Sequence, residues 1–174
     1  MASSPSELYV VIAQIAVAFA GFGSLASRLG QRHGGDDAKV DAMRLALMLS
    51  ASLSATLLGL LPATLASFAL EEQYALRASA VVGLLAIFTY APISVRRAAK
   101  IRHAHGFSKG GTLANSACSL TAFGAFLLCS LNFPVGRSAA LYLLGLMGLL
   151  CSSGVMFSRV VDSMLRPHNE GKEK

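Results

Sequence analysis

SAALYLLGLMGLLCSSGVMFS, residues 138–158, is an uncharged apolar stretch that is long enough to cross a membrane as one helix. A helix needs about 20 residues to span a hydrocarbon core of about 30 Å. Four other uncharged apolar stretches have a similar length: residues 8–27, 45–70, 78–95 and 113–133. None has the alternating pattern of a barrel strand, and in lipid only helices and closed barrels satisfy the backbone. The sequence therefore predicts an all-α, polytopic bundle of five transmembrane helices.

The composition also indicates a membrane protein. Of the 174 residues, 54% are hydrophobic and 14% are charged, whereas soluble domains carry about 25% charged residues. A single soluble core of this size could not bury so much apolar surface. The chain has room for one transmembrane domain, residues 1–174, and we expect its polar end, residues 167–174, to be a flexible cytoplasmic tail.

The basic residues lie mainly on one side of the five stretches. Thirteen of the 15 Lys and Arg residues fall within residues 28–44, 96–112 and 159–174, and the other two are Arg77 and Arg137. Cytoplasmic loops carry an excess of Lys and Arg. The N-terminus is therefore predicted to face outward and the C-terminus to face the cytoplasm. This distribution also explains the net charge of +6, so no nucleic-acid partner is expected.

No ionisable residue lies near the middle of any predicted span. Proton-coupled transport usually needs such a group, and nucleophilic catalysis needs a base beside the nucleophile. We therefore expect a protein that is not an enzyme and has no proton-coupled transport site. Cys118, Cys129 and Cys151 lie within apolar stretches and form no metal-binding motif. We expect neither a disulfide nor a metal or other cofactor.

Small residues recur along three of the predicted helices. In the second stretch they repeat every four residues, which places them on one face and leaves Leu58 toward lipid. Such faces let helices approach closely in a membrane. The predicted packing residues are Ala16, Ala20 and Ser24 in the first stretch, Ala55, Gly59, Ala63 and Ser67 in the second, and Gly145 and Gly148 in the fifth. We expect the first two helices to pack within one chain, and contact between chains through these faces is the alternative.

Gln14 is the polar side chain that enters the membrane most deeply in the first stretch. A buried amide needs a hydrogen-bond partner, and we expect a serine of the second helix or a carbonyl near a proline. Pro62 and Pro92 each free such a carbonyl, because proline has no N–H. Such a carbonyl can coordinate an ion or accept a bond from a neighbouring hydroxyl group, and Thr56, Thr64 and Thr89 are available for that bond.

A cluster of basic residues follows the third stretch. Its members are Arg96, Arg97, Lys100, Arg102 and Lys109. They act first as signals for orientation. Beyond that role, each basic residue near the surface attracts anionic lipid headgroups with about 1 kcal/mol. The cluster is therefore a candidate binding site for anionic lipid.

The first third of the chain resembles a group of small bacterial inner-membrane proteins. The resemblance rests on IAQ at residues 12–14, FAGFG at residues 19–23, DAMRL at residues 41–45 and LLP at residues 60–62. Members of the group often carry an AGF element in the first helix and have no assigned activity. The resemblance implies a location in the bacterial inner (cytoplasmic) membrane, and it implies no functional residue.

These observations favour a subunit or accessory component of a membrane assembly. The expected partners are the lipid bilayer, anionic lipids at the basic cluster, and either a second copy of the chain or another membrane protein. The alternative is an oligomeric passive channel or pore, lined by neutral helices rich in Ser, Thr and Gly.

The predicted orientation can be tested by labelling introduced cysteines in intact cells. Gly35→Cys and Gly110→Cys should be protected from membrane-impermeant thiol reagents, because both lie on the side that is rich in Lys and Arg. Glu71→Cys lies on the opposite side and should react. Labelling of Gly35→Cys from outside would reverse the orientation.

Overall fold

The structure is a computed structural model that describes residues 5–30, 36–68, 70–102, 109–133 and 136–165. These ranges contain five α-helices: α1 Pro5–Gly30, α2 Asp36–Ala66, α3 Glu72–Arg102, α4 Lys109–Ser130 and α5 Ser138–Leu165. The prediction of an all-α protein with five helices is confirmed. The shortest helix, α4, has 22 residues, or about 33 Å at 1.5 Å per residue. The predicted tail at residues 167–174 lies outside the described residues.

Three of the described segments are long and apolar enough to cross a membrane: Leu45–Ala66, Thr112–Ser130 and Ser138–Asp162. Glu7–Gly23 in α1 is a shorter apolar segment. The predicted span at residues 78–95 is not among the three, and the side chains of α3 from Tyr90 onward lie outside the described residues. The chain therefore has the helices of a multi-pass membrane protein.

Two helix ends differ from the predicted boundaries. The second span was predicted to reach residue 70, but α2 ends at Ala66 and residues 67–68 form a turn. The fourth was predicted to reach residue 133, but α4 ends at Ser130. The reason is Asn132, whose φ of 55° is left-handed. Its amide bonds the carbonyl of Cys129 at 3.1 Å, and the next amide bonds five residues back, which is the Schellman ending of a helix.

The side chain of Asn132 joins three helices at this end of the bundle. Its Oδ1 accepts a hydrogen bond from Nε2 of Gln73, near the start of α3, at 3.1 Å. The same oxygen accepts a bond from the hydroxyl of Ser138, the first residue of α5, also at 3.1 Å. The starts of α3 and α5 are therefore held beside the end of α4.

Helix α5 is the centre of the bundle. Within the described ranges it packs against all four other helices, whereas α1 packs against α2 and α5 alone. α1 and α5 run in the same direction, since Tyr9 lies beside Tyr142 and Phe19 beside Phe157, with ring centroids 5.5 and 5.9 Å apart. The outer position of α1 leaves much of its surface without contact to the other described helices.

Neighbouring helices in the chain run in opposite directions. α2 is antiparallel to α5, because Ser52 bonds Ser153 just past the middle of α5 whereas the later Leu58 bonds Tyr142 near its start. α3 is antiparallel to α4, because Gln73 at the start of α3 reaches the end of α4. The five helices therefore form an up-and-down bundle, the arrangement that successive membrane crossings require.

The largest buried cluster fills the end of the bundle where α1, α3 and α5 begin. We call Tyr9, Phe126 and Tyr142 the aromatic layer. The rings of Phe126 and Tyr142 are fully buried, and their centroids lie 5.5 Å apart. Gly145 makes room for the layer, because a Cβ there would lie 2.6 Å from Cε1 of Phe126. A second, smaller cluster near the other end contains Leu45, Met48, Met156 and Val160.

Tyr142 also supplies the hydrogen bond that Pro62 removes from α2. Pro62 lies inside the helix, and its missing N–H leaves the carbonyl of Leu58, four residues earlier, without a helical donor. The hydroxyl of Tyr142 donates to that carbonyl at 2.5 Å.

Leu58 is 3% exposed, so its predicted position toward lipid is wrong. The side chain that faces outward is Leu57, at 69% exposure.

The three threonines that were available for the proline-freed carbonyls bond other carbonyls. Thr56 donates to Ser52, Thr64 to Leu60, and Thr89 to Leu85 and Ala86, all within their own helices. A threonine hydroxyl commonly bonds the preceding turn of its own helix. The long side chain of a tyrosine on another helix was needed to reach the freed carbonyl.

The bond between Tyr142 and Leu58 can be tested by a double-mutant cycle. Tyr142→Phe should lower the free energy of unfolding by about 1–3 kcal/mol, because the buried carbonyl of Leu58 loses its donor. Pro62→Ala restores an N–H that can bond the same carbonyl. The loss caused by Tyr142→Phe should therefore be smaller in the Pro62→Ala background. Denaturant unfolding of the purified protein in detergent measures both values.

The matched control for this cycle is Tyr74→Phe, because Tyr74 is 57% exposed and its hydroxyl can bond water. That variant should leave the unfolding free energy unchanged. An equal loss from Tyr142→Phe with and without Pro62 would show that the bond does not compensate for the proline.

Candidate functional site

A cavity of about 130 Å³ lies between α2, α3, α4 and α5. Its wall includes Leu47 and Leu58 of α2, Ile87 of α3 and Leu149 of α5. The cavity is partly open and lies toward the end of the bundle where α4 begins. Its size and its mixed lining of apolar and polar side chains make it a candidate binding site for a small molecule.

Five neutral polar side chains line the cavity: Ser50, Ser54, Asn115, Ser119 and Ser152. Ser50 and Ser54 are four residues apart on α2, and Asn115 and Ser119 are four residues apart on α4. Side chains at this spacing lie on one helical face. Three helices therefore direct hydroxyl or amide groups to one space, and none of the lining residues is charged.

The polar groups differ in their hydrogen bonds. The hydroxyl of Ser152 donates to Oδ1 of Asn115 at 2.6 Å, which leaves the two amide N–H donors of Asn115 for another partner. The hydroxyl of Ser50 donates to the carbonyl of Leu47 at 2.9 Å. The hydroxyl groups of Ser54 and Ser119 have no hydrogen bond to any of the described residues. The cavity therefore presents donors that none of the described residues satisfies.

Apolar groups lie at the end of the cavity toward the aromatic layer. Gly83 lines the cavity, and a Cβ at that position would lie 3.2 Å from the ring of Phe126 and 3.3 Å from the side chain of Leu58. These groups form an apolar floor. Ser52 of α2 and Ser153 of α5 are fully buried, and their hydroxyl groups bond each other at 2.6 Å. This bond joins α2 to α5.

Asn115 lies near the start of α4 and pairs with Ser152 of α5 across two helices. The sequence contained a signal for this cavity in the two pairs of polar residues four apart, Ser50 with Ser54 and Asn115 with Ser119. Their meeting depends on how α2 and α4 are placed around α5, which the sequence pattern does not specify.

The predicted packing residues fall into two groups. Five lie at close contacts or in the interior: Ala16, Ala55, Gly59, Gly145 and Gly148. A Cβ on Gly59 would lie 3.0 Å from the carbonyl oxygen of Tyr9, and one on Gly148 would lie 3.0 Å from that of Cys118. Ala20 is half-buried, Ala63 and Ser67 are exposed, and the side chain of Ser24 lies outside the described residues.

Gln14 points away from the bundle. Its side chain is exposed, and no hydrogen bond joins it to any residue in the described part of the chain. The serine or carbonyl partner that we expected for its amide is therefore not found there. Ala18 and Gly21, four and seven residues later, are exposed on the same helix, and a Cβ on Gly21 would have nothing within 4 Å.

The basic cluster lies at the adjoining ends of two helices. α3 continues to Arg102 and α4 begins at Lys109, so Arg96, Arg97, Lys100, Arg102 and Lys109 all have helical backbones. Their side chains lie outside the described residues.

Cys118, Cys129 and Cys151 are not paired with one another. Cys129 is buried and its thiol lies 3.4 Å from the carbonyl oxygen of Ser138. Cys118 is half-buried, Cys151 is exposed, and all three are free thiols. Over the part of the chain that the structure describes, no group of three or more His, Cys, Asp or Glu residues could hold a metal ion.

Comparison of the chain with protein-family models, with curated proteins and with solved structures found no match.

Proposed function

We propose that this chain is an integral protein of the bacterial inner membrane that crosses the bilayer five times and works as a subunit of a membrane assembly. Its N-terminus would face outward and its C-terminus the cytoplasm. No catalytic role is included in the proposal. The location rests on the resemblance of the first third of the chain, and the orientation rests on the distribution of Lys and Arg.

Five crossings are supported by the outer surface of the bundle. Each helix exposes large apolar side chains: Val17 on α1, Leu57 on α2, Leu85 on α3, Leu120 on α4 and Leu144 on α5 are 49–69% exposed. A soluble monomer rarely exposes contiguous apolar surface on this scale. Lipid covers such a surface without cost. The up-and-down arrangement lets all five helices share one bilayer.

The assembly role rests on one observation, the outward-facing amide of Gln14. In the proposed topology this amide would lie in lipid, where an unpaired polar group costs free energy. The structure offers it no partner among the described residues. A partner outside the chain would satisfy both its N–H and its C=O.

The partner that we propose for Gln14 is a second copy of the chain. A primary amide carries donors and an acceptor together, so two identical amides can bond each other across a two-fold axis. Most soluble homo-oligomers use such self-complementary contacts, and the same geometry applies in lipid. Ala18 and Gly21 extend this face with small side chains, which let two α1 helices approach closely.

A passive pore is the second candidate function, and the convergence of hydroxyl groups on the cavity favours it. The aromatic layer argues against a path through one chain, because Phe126 and Tyr142 are fully buried at the other end of the helices. A pore would therefore have to form between copies of the chain.

Anionic lipid is the second proposed partner, and it would contact the basic cluster. Replacing Arg97, Lys100 and Arg102 with Gln should reduce the anionic lipid that co-purifies with the protein, since each charge near the surface contributes about 1 kcal/mol. Mass spectrometry of extracted lipid measures the loss. Lys172→Gln with Lys174→Gln removes charge from the same predicted side and should have a smaller effect. Equal retention by all variants would contradict the proposal.

The Gln14 contact predicts a specific cross-link in the membrane. In a background with Cys118→Ser and Cys151→Ser, Gln14→Cys should form a disulfide-linked dimer under mild oxidation, because two Cα atoms across such a contact can come within about 7 Å. Leu120→Cys, on the lipid-facing side of α4 at 69% exposure, should not. Non-reducing electrophoresis separates the two results.

A second variant tests the amide itself. Gln14→Leu keeps the side chain large but removes its hydrogen bonds, so the dimer should weaken by about 1–2 kcal/mol, a factor of about 5–30 in its dissociation constant. Native mass measurement in detergent at graded protein concentrations gives that constant. A protein that stays monomeric with Gln14 in place would refute the assembly role.

A further inference from the structure

We propose that the cavity between α2, α3, α4 and α5 binds a small uncharged molecule that has a hydrogen-bonding group at one end and an apolar body. This role is separate from assembly through α1, because Gln14 does not line the cavity. Three properties of the cavity define the ligand: its volume, its unsatisfied polar groups and its lack of charge.

The volume sets the size of the ligand. A cavity of about 150 Å³ in another protein binds benzene, which has six non-hydrogen atoms. The cavity here has about 130 Å³ and is partly open, so a molecule of similar size fits. A bound water needs two to four polar partners, and the serine and asparagine side chains at one end of the cavity provide them. The apolar side chains at the other end provide none, so a molecule with a polar group and an apolar body fits the whole cavity better than water does.

The polar groups define what the ligand must offer. Asn115 has two free amide N–H donors, and Ser54 and Ser119 have hydroxyl groups without a partner among the described residues. An unsatisfied donor in an apolar site is unfavourable. A carbonyl or hydroxyl oxygen on the ligand would accept bonds from these donors. The hydroxyl oxygens of Ser50 and Ser152, whose hydrogens are already donated, can accept bonds in return.

The position of these groups orients the ligand. Ser50 and Leu58 both line the cavity and are eight residues apart on α2, or about 12 Å along the helix. Asn115 and Ser152 lie toward the Ser50 end, whereas Leu58 and Gly83 form the apolar floor. The polar group of the ligand would therefore sit near Asn115, and its apolar body would point toward the aromatic layer.

The absence of charge in the lining sets the selectivity. An ion moved into an apolar site costs several kcal/mol unless a counter-charge lies beside it. None of the cavity-lining residues supplies one. A carboxylate or an ammonium of the same size as the neutral ligand should therefore be excluded.

Butyramide, butyrate and butylammonium form a matched set of probes for this site. They share a short alkyl body and differ in the charge of the polar group. Ser119→Cys in the background with Cys118→Ser and Cys151→Ser places a reactive thiol in the cavity wall. Its modification by methyl methanethiosulfonate can be followed by mass spectrometry of the purified full-length protein in detergent.

Butyramide should slow the modification of Ser119→Cys about tenfold once its concentration exceeds its dissociation constant tenfold, by mass action. Butyrate and butylammonium should have no such effect. Leu120→Cys, one residue along α4 and facing outward, should react at the same rate with and without butyramide. Asn115→Leu should abolish the protection by butyramide, because it removes both N–H donors.

Ser54→Cys repeats the measurement at a position on α2. A local disturbance of α4 by Ser119→Cys would not affect this second result. Protection of both cavity cysteines by butyramide alone supports the site. Three results would overturn the proposal: equal protection by butyrate, equal protection of Leu120→Cys, or no protection at either cavity position.

Discussion

The bond from the hydroxyl of Tyr142 to the carbonyl of Leu58 is the interaction on which the bundle depends. Pro62 removes a donor from α2 in a region where neither water nor lipid could replace it. The chain supplies the donor from α5. Because a hydroxyl on a rigid ring reaches the carbonyl from a fixed distance, this bond also fixes the spacing and the register of α2 against α5. The ring of Tyr142 then contacts Tyr9 of α1 and Phe126 of α4, so one side chain links four helices.

One end of the bundle is filled by aromatic rings and the other contains the cavity, and both follow from this arrangement. Around Tyr142 the helices contact one another through aromatic rings, and Gly145 and Gly83 provide the space that Phe126 occupies. Toward the start of α4 the side chains are smaller, and serine and asparagine take the place of the rings. Small polar side chains fill less volume than aromatic ones, so a cavity remains there. The bundle thus has one end that is filled by aromatic rings and one end with space for a small molecule.

The existence of the five helices could be predicted because lack of charge over about 20 residues is a strong signal. The sequence could not show which face of each helix points into the bundle and which points to lipid. In a soluble helix the apolar side marks the interior, but lipid is as apolar as a leucine-rich core. Leu57 and Leu58 are chemically identical, and the structure exposes one at 69% and buries the other at 3%. The same ambiguity applies to Gln14, because a polar residue in a span can face either a neighbouring helix or an outside partner. The cavity needed the three-dimensional placement of α2 and α4, since its polar residues are about 65 positions apart in the chain.

Asn132 has one role through its backbone and another through its side chain, and few residue types can fulfil both. Its backbone adopts a left-handed conformation, which glycine tolerates best and asparagine and aspartate tolerate better than most residues. Its side-chain oxygen accepts bonds from both Gln73 and Ser138. Glycine would keep the turn and lose the junction of three helices, and glutamine would keep an amide oxygen at the expense of the turn. Aspartate could meet both requirements, but it would add a negative charge close to Glu71 and Glu72 at the start of α3. Divergent copies of this chain should therefore vary far less at this position than at the apolar residues around it.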